Sequence, residues 1–325
     1  MDEIMLCVTN LSLSFNSYLG TAKVLDNVGF EIKKGELFGL AGESGCGKSV
    51  TTYAILKLLP ESARISSGQI VFDGKDLLLF SERRMQDIRG REISIVFQDP
   101  NTSLDPSMRI GDQIIETYQI HMRISRSQAE RQAIALLDRL KISHGARRMK
   151  QYPHQLSGGI KQRICFAMAL IFDPKLMIAD EFTTNLDVTV QAEMIKIVNE
   201  MRKRIKTSIL FITHDLSLIY QTCDSAAIMY AGQIVESGRV AELFSTPLHP
   251  YTQGLLQAVP TIPTHGKRLK GIDGFVPNLV DPPTGCRFHK RCAKFIPGTC
   301  DVTFPAAADF PNGHRVFCHL YPGGR

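Results

Sequence analysis

The sequence predicts an α/β fold, and three stretches carry that prediction. The first is GELFGLAGESGCGKSVTTYAILKLLP (35–60). It opens with a short apolar run, Leu37 to Ala41, and passes through a glycine-rich turn. Apolar residues then recur at helical spacing from Lys48 to Leu59, where Pro60 stops the pattern. The second is KLMIADE (175–181), an apolar run from Leu176 to Ala179 that ends in two acids. The third is another apolar run, ending in FITHD (211–215). Short runs of this kind, alternating with helical patterns such as 190–205, read as buried strands with helices packed on them.

The rest of the chain divides by pattern. Residues 1–35 and 68–75 alternate apolar and polar (LCVTNLSLSF, GQIVFDG) and predict a β-rich part. Residues 100–165 are mostly helical in pattern, including SQAERQAIALLDRLKI (127–142). Proline then becomes frequent, at Pro247, Pro250, Pro260, Pro263, Pro277, Pro282 and Pro283, which predicts an extended appendage from about residue 250.

At 325 residues the chain accommodates one large domain and a smaller one. Its 44% hydrophobic and 22% charged content is ordinary for a globular protein. The net charge of +6 suits nucleotide phosphates, an anionic membrane surface or nucleic acid, and serves equally as a solubilising surface. MDEIMLCVTN has acids where a signal peptide has bases. The most apolar window, ICFAMALIF (164–172), is too short to span a bilayer. These features predict a cytosolic protein with reduced cysteines.

The turn Gly42-Glu43-Ser44-Gly45-Cys46-Gly47-Lys48-Ser49 fits G-x-x-x-x-G-K-[ST]. Glycines let the backbone curl until successive N–H groups point at phosphate oxygens, and the following helix adds its own N-terminal N–H groups. Lys48 has the reach for the β- and γ-phosphates, and the Ser49 hydroxyl is a ligand for Mg²⁺. The strand ending in Asp180 supplies a carboxylate for the metal side, and Glu181 follows it as a group able to orient or deprotonate an attacking water. An apolar run ending in Asp-Glu is a weak signal alone and a strong one beside the loop.

Between the two lies YPHQLSGGIKQRICFAMAL (152–170). Leu156-Ser157-Gly158-Gly159-Ile160 resembles the LSGGQ signature of the ATP-binding subunits of ABC transporters, and Ser157, Gly158 and Gly159 at a helix start make a second phosphate cradle. The resemblance implies that this cradle meets ATP held by a second subunit. It also implies an ABC-type P-loop core with a β-rich N-terminal subdomain, an α-helical signature subdomain at about 100–165 and a small irregular Cys-rich C-terminal appendage. Gln98 in VFQDP matches the Q-loop glutamine, a Mg²⁺ and water contact, and His214 matches the switch histidine. Leu186-Asp187 match the D-loop, and Val50 extends the ATP-binding loop. Phe15 falls where the family places an aromatic under adenine, with Tyr18 and a plain core role as alternatives.

YPHQLSGG, NLDVT (185–189), MYAGQIVESG (229–238) and HPYTQGLL (249–256) are similar to the dipeptide, oligopeptide and nickel importer branch, over essentially the whole chain. The implied organisation is a nucleotide-binding domain over 1–250 and an extension over 251–325. The implied activity is ATP hydrolysis that powers peptide import; nickel or another small solute is the alternative cargo, and a soluble ABC ATPase a more distant one. The implied partners are a second, non-identical ATP-binding subunit, two membrane permease subunits and, indirectly, an extracytoplasmic binding protein, with no nucleic acid. The implied location is the cytoplasmic face of the membrane. One departure stands out. The family reads D-E-P-T-[TS]-A-L-D, whereas this chain has Phe182 for the proline and Asn185 for the alanine, which predicts a looser turn at Glu181.

Four of the eight cysteines, Cys286, Cys292, Cys300 and Cys318, fall in the tail. A reducing compartment disfavours disulfides, and structural zinc sites usually include a tight C-x₂₋₄-C pair, which is missing. A 4Fe–4S cluster takes four thiolates at wide spacing, and Arg287, Lys290, Arg291 and Lys294 could offset its charge. The three readings are an iron–sulfur cluster, as the resemblance also implies, zinc, and unmetallated thiols.

Overall fold

The computed structural model describes residues 3–18, 20–184, 187–258 and 271–322. The D-loop residues Asn185 and Leu186 lie outside the described residues. In chain order the elements begin with β1 (Ile4–Ser17), β2 (Gly20–Lys33), β3 (Leu37–Ala41), α1 (Lys48–Ile55), β4 (Ala63–Phe72) and β5 (Lys75–Asp76). There follow α2 (Glu82–Ile88), β6 (Ile93–Val96), α3 (Pro100–Ser103), α4 (Ile110–His121), α5 (Arg126–Arg139), α6 (Gly145–Arg148) and α7 (Gly158–Ala169). Next come β7 (Leu176–Asp180), α8 (Val188–Ile205), β8 (Ser208–Thr213), α9 (Leu216–Thr222), β9 (Ser225–Tyr230) and β10 (Gln233–Arg239). The last are α10 (Val240–Ser245), α11 (Pro250–Gln257), β11 (Ala307–Asp309) and β12 (Arg315–Phe317). The chain forms two compact units, one of residues 1–79 with 210–325 and one of residues 80–209.

The first unit holds an antiparallel sheet in the order β2-β1-β4-β5. Its centre shows how a sequence pattern can break parity and still fill one face. After Met5 at its start, the buried residues of β1 are Leu6 and Val8, then Leu11 and Leu13. Side chains alternate across a strand, so an unbroken β1 would send the second pair to the opposite face. A bulge at Asn10, whose φ is 50°, inserts the missing residue, and the pairing of β1 with both neighbours shifts there. Across from it, Gly68 runs at φ 107°, and a Cβ at that position would lie 2.6 Å from the Leu11 Cα. Only glycine lets β4 pass over the bulge.

The same unit carries strands in the order β11-β12-β10-β9-β3-β8. β3 is parallel to β9, and β9, β10 and β12 are antiparallel in succession. All of β3 (LFGLA) is buried, which explains its unbroken apolar composition. The C-terminal segment enters this sheet through β12, where Val316 pairs with Glu236. Ala308, Val316 and Cys318 form a small core there with Leu248, Phe310, Leu320 and Tyr321.

The second unit pairs β6 and β7 in parallel, with Ile93 opposite Leu176 and Val96 opposite Ala179, beside α2 to α8. Two helices differ from the sequence expectation at their C-termini. α1 ends at Ile55 rather than Leu59, because Lys57 takes a left-handed φ of 50° ahead of Pro60. α5 starts at Arg126 on a Ser125–Gln128 capping box and stops at Arg139, with Lys141 left-handed. The tail also opens on a regular helix, α11, capped by its own His249 and carrying Pro250 in its first turn.

Gly68→Ala is expected to destabilise the protein by about 1–3 kcal/mol, from a forced φ and a backbone collision. The check is a fall in urea midpoint at unchanged slope.

Candidate functional site

The loop between β3 and α1 curls through three glycines with positive φ: Gly42 (158°, nearly extended), Gly45 (77°) and Gly47 (107°). A Cβ on Gly42 would lie 2.1 Å from the Met229 carbonyl oxygen, so a side chain there would push the loop off β9. At Gly45 a Cβ would meet nothing within 4 Å, an open position on the loop's exposed side beside exposed Ser44. Gly47 caps α1 without a side-chain bond, which leaves that helix end suited to an anion. Lys48 is buried, and its Nζ donates to the carbonyls of Gly42 (2.8 Å) and Glu43 (3.1 Å). The ammonium is therefore aligned along the loop by the loop's own backbone. Cys46 is fully buried and its thiol is pushed up by burial, which makes it packing rather than a nucleophile. Ser49 and Val50 follow Lys48 in the first turn of α1 and are half-buried.

Glu43 ties this loop to the C-terminal part of the same unit. Its backbone N–H donates to the Tyr251 hydroxyl (3.0 Å), and its carboxylate accepts two bonds from Arg291 (2.7 and 3.1 Å). Tyr251 is fully buried in an aromatic group with Tyr230 and Phe288, at ring centroids of 4.7 and 5.3 Å. α11 holds Tyr251 in place, and His249 caps α11 by accepting from the Tyr251 N–H at Nδ1 (3.1 Å). That ring must be unprotonated at Nδ1 to accept, and burial pushes its pKa down to about 4 against the pull of Glu236. Glu236, also fully buried, accepts from the N–H groups of Leu248 and His249 and from His314 Nε2 (2.7 Å).

His214 follows β8, the neighbour of β3 in the sheet, and is exposed. Phe15 sits on β1 opposite Ala22 and Ala63, half-buried, while Tyr18 is almost wholly exposed.

In the second unit, the parallel register of β6 and β7 makes the chain leave both strands at one edge, with Gln98 beyond the first and Asp180 and Glu181 at the end of the other. Asp180 is buried and Glu181 half-buried, with Glu181 at a left-handed φ of 45°. Phe182 takes the place that proline holds in the family. It is buried and stacks on Phe166 of α7 (6.0 Å, 18°), so an aromatic anchor replaces the rigid ring. Ser157 takes the N-cap position of α7, yet its side chain makes no capping bond, and a Cβ on Gly158 would meet open space. A Cβ on Gly159 would lie 2.9 Å from Val190, so the glycine there serves the close packing of α8. Lys161 Nζ reaches Asn101 Oδ1 (2.7 Å) and ties α7 to the segment after Gln98. A cleft of about 510 Å³ opens in this unit, lined by Ile95, Phe97, Thr102, Thr117, Cys165 and Met168 among others. Burial pushes the Cys165 thiol up to about 12.

Cys286, Cys292, Cys300 and Cys318 of the tail are free thiols. The Cys286 N–H donates to the Cys300 carbonyl (2.8 Å), and a Cβ on Gly285 would lie 2.4 Å from that oxygen. Burial pushes the Cys286 thiol up to about 12, and charge on each of the other three would raise it further. Among the described residues, no group of three or more His, Cys, Asp or Glu side chains is placed to hold a metal ion. The local cations are also differently used than the sequence suggested. Arg287 is buried and pairs with Asp26 (3.1 Å), and Arg291 pairs with Glu43, so neither is a solvated surface charge. Sequence reasoning missed Tyr251, Arg287 and Arg291 as partners of the nucleotide-binding half. The only cue was their place inside HPYTQGLL and RFHKRC, which motif spacing does not connect to the loop.

A glycine loop between a buried strand and a helix, with its lysine laid along the loop, defines a P-loop nucleotide-binding protein. The profile of the ABC transporter family matches residues 25–184, and that of the oligopeptide/dipeptide transporter C-terminal region matches residues 235–300. The dipeptide transport ATP-binding protein DppD of Bacillus subtilis is 44% identical over 98% of this chain and 95% of its own. The oligopeptide transport ATP-binding protein OppD of the same organism is 47% identical over 88% of this chain and 81% of its own. A dimeric ATP-binding cassette in a post-hydrolysis state, bound to ADP and Pi, shares the fold at a TM-score of 0.65 and 23% identity, covering 73% of this chain and 99% of that one. The chain belongs to the ABC transporter ATPases, in the group of dipeptide and oligopeptide transport ATP-binding proteins. It is an ABC-type ATPase.

Between pH 6.5 and 4 the unfolded chain protonates His249 while the folded chain does not, so stability present above pH 6.5 is lost as the pH falls through that window. The expected loss is about 3 kcal/mol. Urea midpoints measured from pH 7 to 4 should show it, and His249→Asn, which keeps a capping acceptor without a titrating ring, should flatten the curve.

Proposed function

We propose that this chain is the ATP-hydrolysing subunit that powers import of dipeptides or oligopeptides through separate membrane permease subunits. The observation that carries the reading is near full-length likeness to proteins named for dipeptide and oligopeptide transport, tail included. No helix among the described residues is long and apolar enough to cross a membrane. In this reading residues 1–250 form the nucleotide-binding domain and 251–325 a peptide-importer extension. The second ATP-binding subunit is a different chain, and the pair sits on the cytoplasmic face.

The roles are those that the sequence motifs assign to each segment. The amides of Gly42, Ser44, Gly45, Cys46 and Gly47, with the Lys48 ammonium, bind the ATP phosphates, with Val50 beside them, and Phe15 is the candidate for the adenine face. Ser49, Gln98 and Asp180 would hold Mg²⁺, which supplies charge neutralisation on the phosphate oxygens. Glu181 orients the attacking water and takes its proton as the oxygen bonds the γ-phosphorus and ADP departs; Gln98 and His214 fix the water and the γ-phosphate. Ser157, Gly158 and Gly159 offer uncapped amides to ATP bound on the second subunit. The cleft lined by Phe97, Thr102 and Met168, next to Gln98, is the candidate surface for a short helix of a permease subunit.

For the tail, the reading is a 4Fe–4S cluster on Cys286, Cys292, Cys300 and Cys318. The thiols influence one another, yet no three are gathered as a single ion requires. The reading rests on the four-cysteine pattern of the sequence, since a cluster takes four thiolates on separate irons whereas zinc draws its sulfurs to about 2.3 Å of one centre.

Reconstitution with two permease subunits, the second ATP-binding subunit and a binding protein tests the transport reading. Peptide uptake that depends on ATP is the expected result, with Glu181→Gln binding ATP while losing at least about 100-fold in turnover. Uptake of nickel alone would overturn the peptide reading, and full hydrolysis by the variant would remove Glu181 from its role. For the tail, anaerobic purification followed by metal analysis should give about four iron and four sulfide per chain. Colourless protein with one zinc would contradict the cluster.

A further inference from the structure

We propose that Arg291, far along the chain in the C-terminal segment, is a positioning residue of the ATP site that neutralises and fixes Glu43 inside the phosphate-binding loop. The inference rests on the reading of 42–49 as the ATP loop.

Three observations carry it. First, Glu43 puts a carboxylate on the second residue of a loop whose task is to bind a polyanion, and the side chain is partly exposed (29%). An unpaired carboxylate there repels the triphosphate at close range. Second, Arg291 meets it with a two-pronged pair at 2.7 and 3.1 Å, and the arginine side chain is only 5% exposed. The guanidinium is itself immobilised. Its Nε donates to the Asp273 carbonyl (2.9 Å), it reaches the Ile272 carbonyl (3.2 Å), and it lies over the Tyr230 ring at 5.6 Å. The cation is thus built in rather than recruited from a flexible surface. Third, the backbone of Glu43 is where the loop is assembled. Its N–H goes to Tyr251, and its carbonyl accepts from Lys48 Nζ and the Cys46 N–H (3.3 Å). Moving Glu43 moves the lysine that grips phosphate.

A pair made wholly within the chain, and not to the reacting atoms, contributes equally to ground and transition states. Losing it raises KM for ATP and leaves kcat nearly unchanged. A merely structural loss, in which part of the enzyme unfolds, would lower kcat and leave KM alone.

The test measures ATP affinity and steady-state hydrolysis on the full chain. Arg291→Gln should raise the Kd for MgATP about tenfold, from a coupling typical of close charged pairs, with kcat within about twofold of wild type. Arg291→Lys, which keeps the cation and loses the fork, should raise it about threefold. Glu43→Gln/Arg291→Gln removes the repelling charge together with its partner and should return Kd to within about threefold of wild type. Arg315→Gln, which breaks the exposed pair with Asp309 in the same segment, should leave affinity unchanged. Unchanged Kd in Arg291→Gln, or a double variant as weak as the single one, would overturn the proposal. Should Arg291→Gln not fold, Arg291→Lys decides, and wild-type affinity there is equally fatal. Wild-type chain that binds no ATP would instead sink the reading of the loop itself.

Discussion

The phosphate-binding loop is held from outside its own sequence. Glycines make such a loop possible, but permissive backbone is also backbone with freedom to lose. Glu43 removes that freedom through three bonds of different origin: its N–H to a tyrosine hydroxyl on α11, its carboxylate to an arginine beside the thiol cluster, and its carbonyl to Lys48. The tyrosine in turn depends on α11, and α11 on the His249 cap and on buried Glu236. A carboxylate such as Glu236 is tolerated with no solvent contact only because donors from the β10–α11 connection and from His314 surround it. The C-terminal segment, which looks in sequence like an addition, is bonded into the catalytic sheet and into the loop itself.

The loop before α1 and the segment before α7 share one local feature in different surroundings. Gly47 and Ser157 both start a helix without a capping side chain, while Ser81, Asp99, Ser125, Asp187 and Asp215 cap theirs. A serine at an N-cap usually satisfies its own helix. One that does not leaves amides and hydroxyl together for an anion. The Glu181 turn shows the same economy by a different route, since burying Phe182 on Phe166 couples it to α7, the helix that Ser157 begins.

Much of this was legible in the sequence because it is local. Leu37–Ala41, Leu176–Ala179 and the run before His214 are short and apolar throughout, and each became a strand at the expected place. The loop could be read residue by residue because its chemistry depends on spacing within eight positions. The ends of α1 and α5 were misjudged because left-handed Lys57 and Lys141 carry no compositional mark. The early halt of the apolar alternation in β1 is visible as a change from even to odd positions, but the bulge that reconciles it needs Gly68 on another strand. The least legible feature was the use of Arg287 and Arg291. A basic run beside cysteines reads as charge compensation for a metal site, and nothing in its spacing reveals that two of its members face Asp26 and Glu43.

The separation of these partners along the chain has a consequence for how the protein is made. Tyr251 follows Glu43 by 208 residues and Arg291 by 248. During synthesis from the N-terminus, the loop emerges early and waits for nearly the whole chain before its anchors exist. Closing contacts across such lengths is slow compared with forming a hairpin like β1–β2. A nascent chain halted before Arg291 therefore presents the glycine loop without the cation that pairs with Glu43.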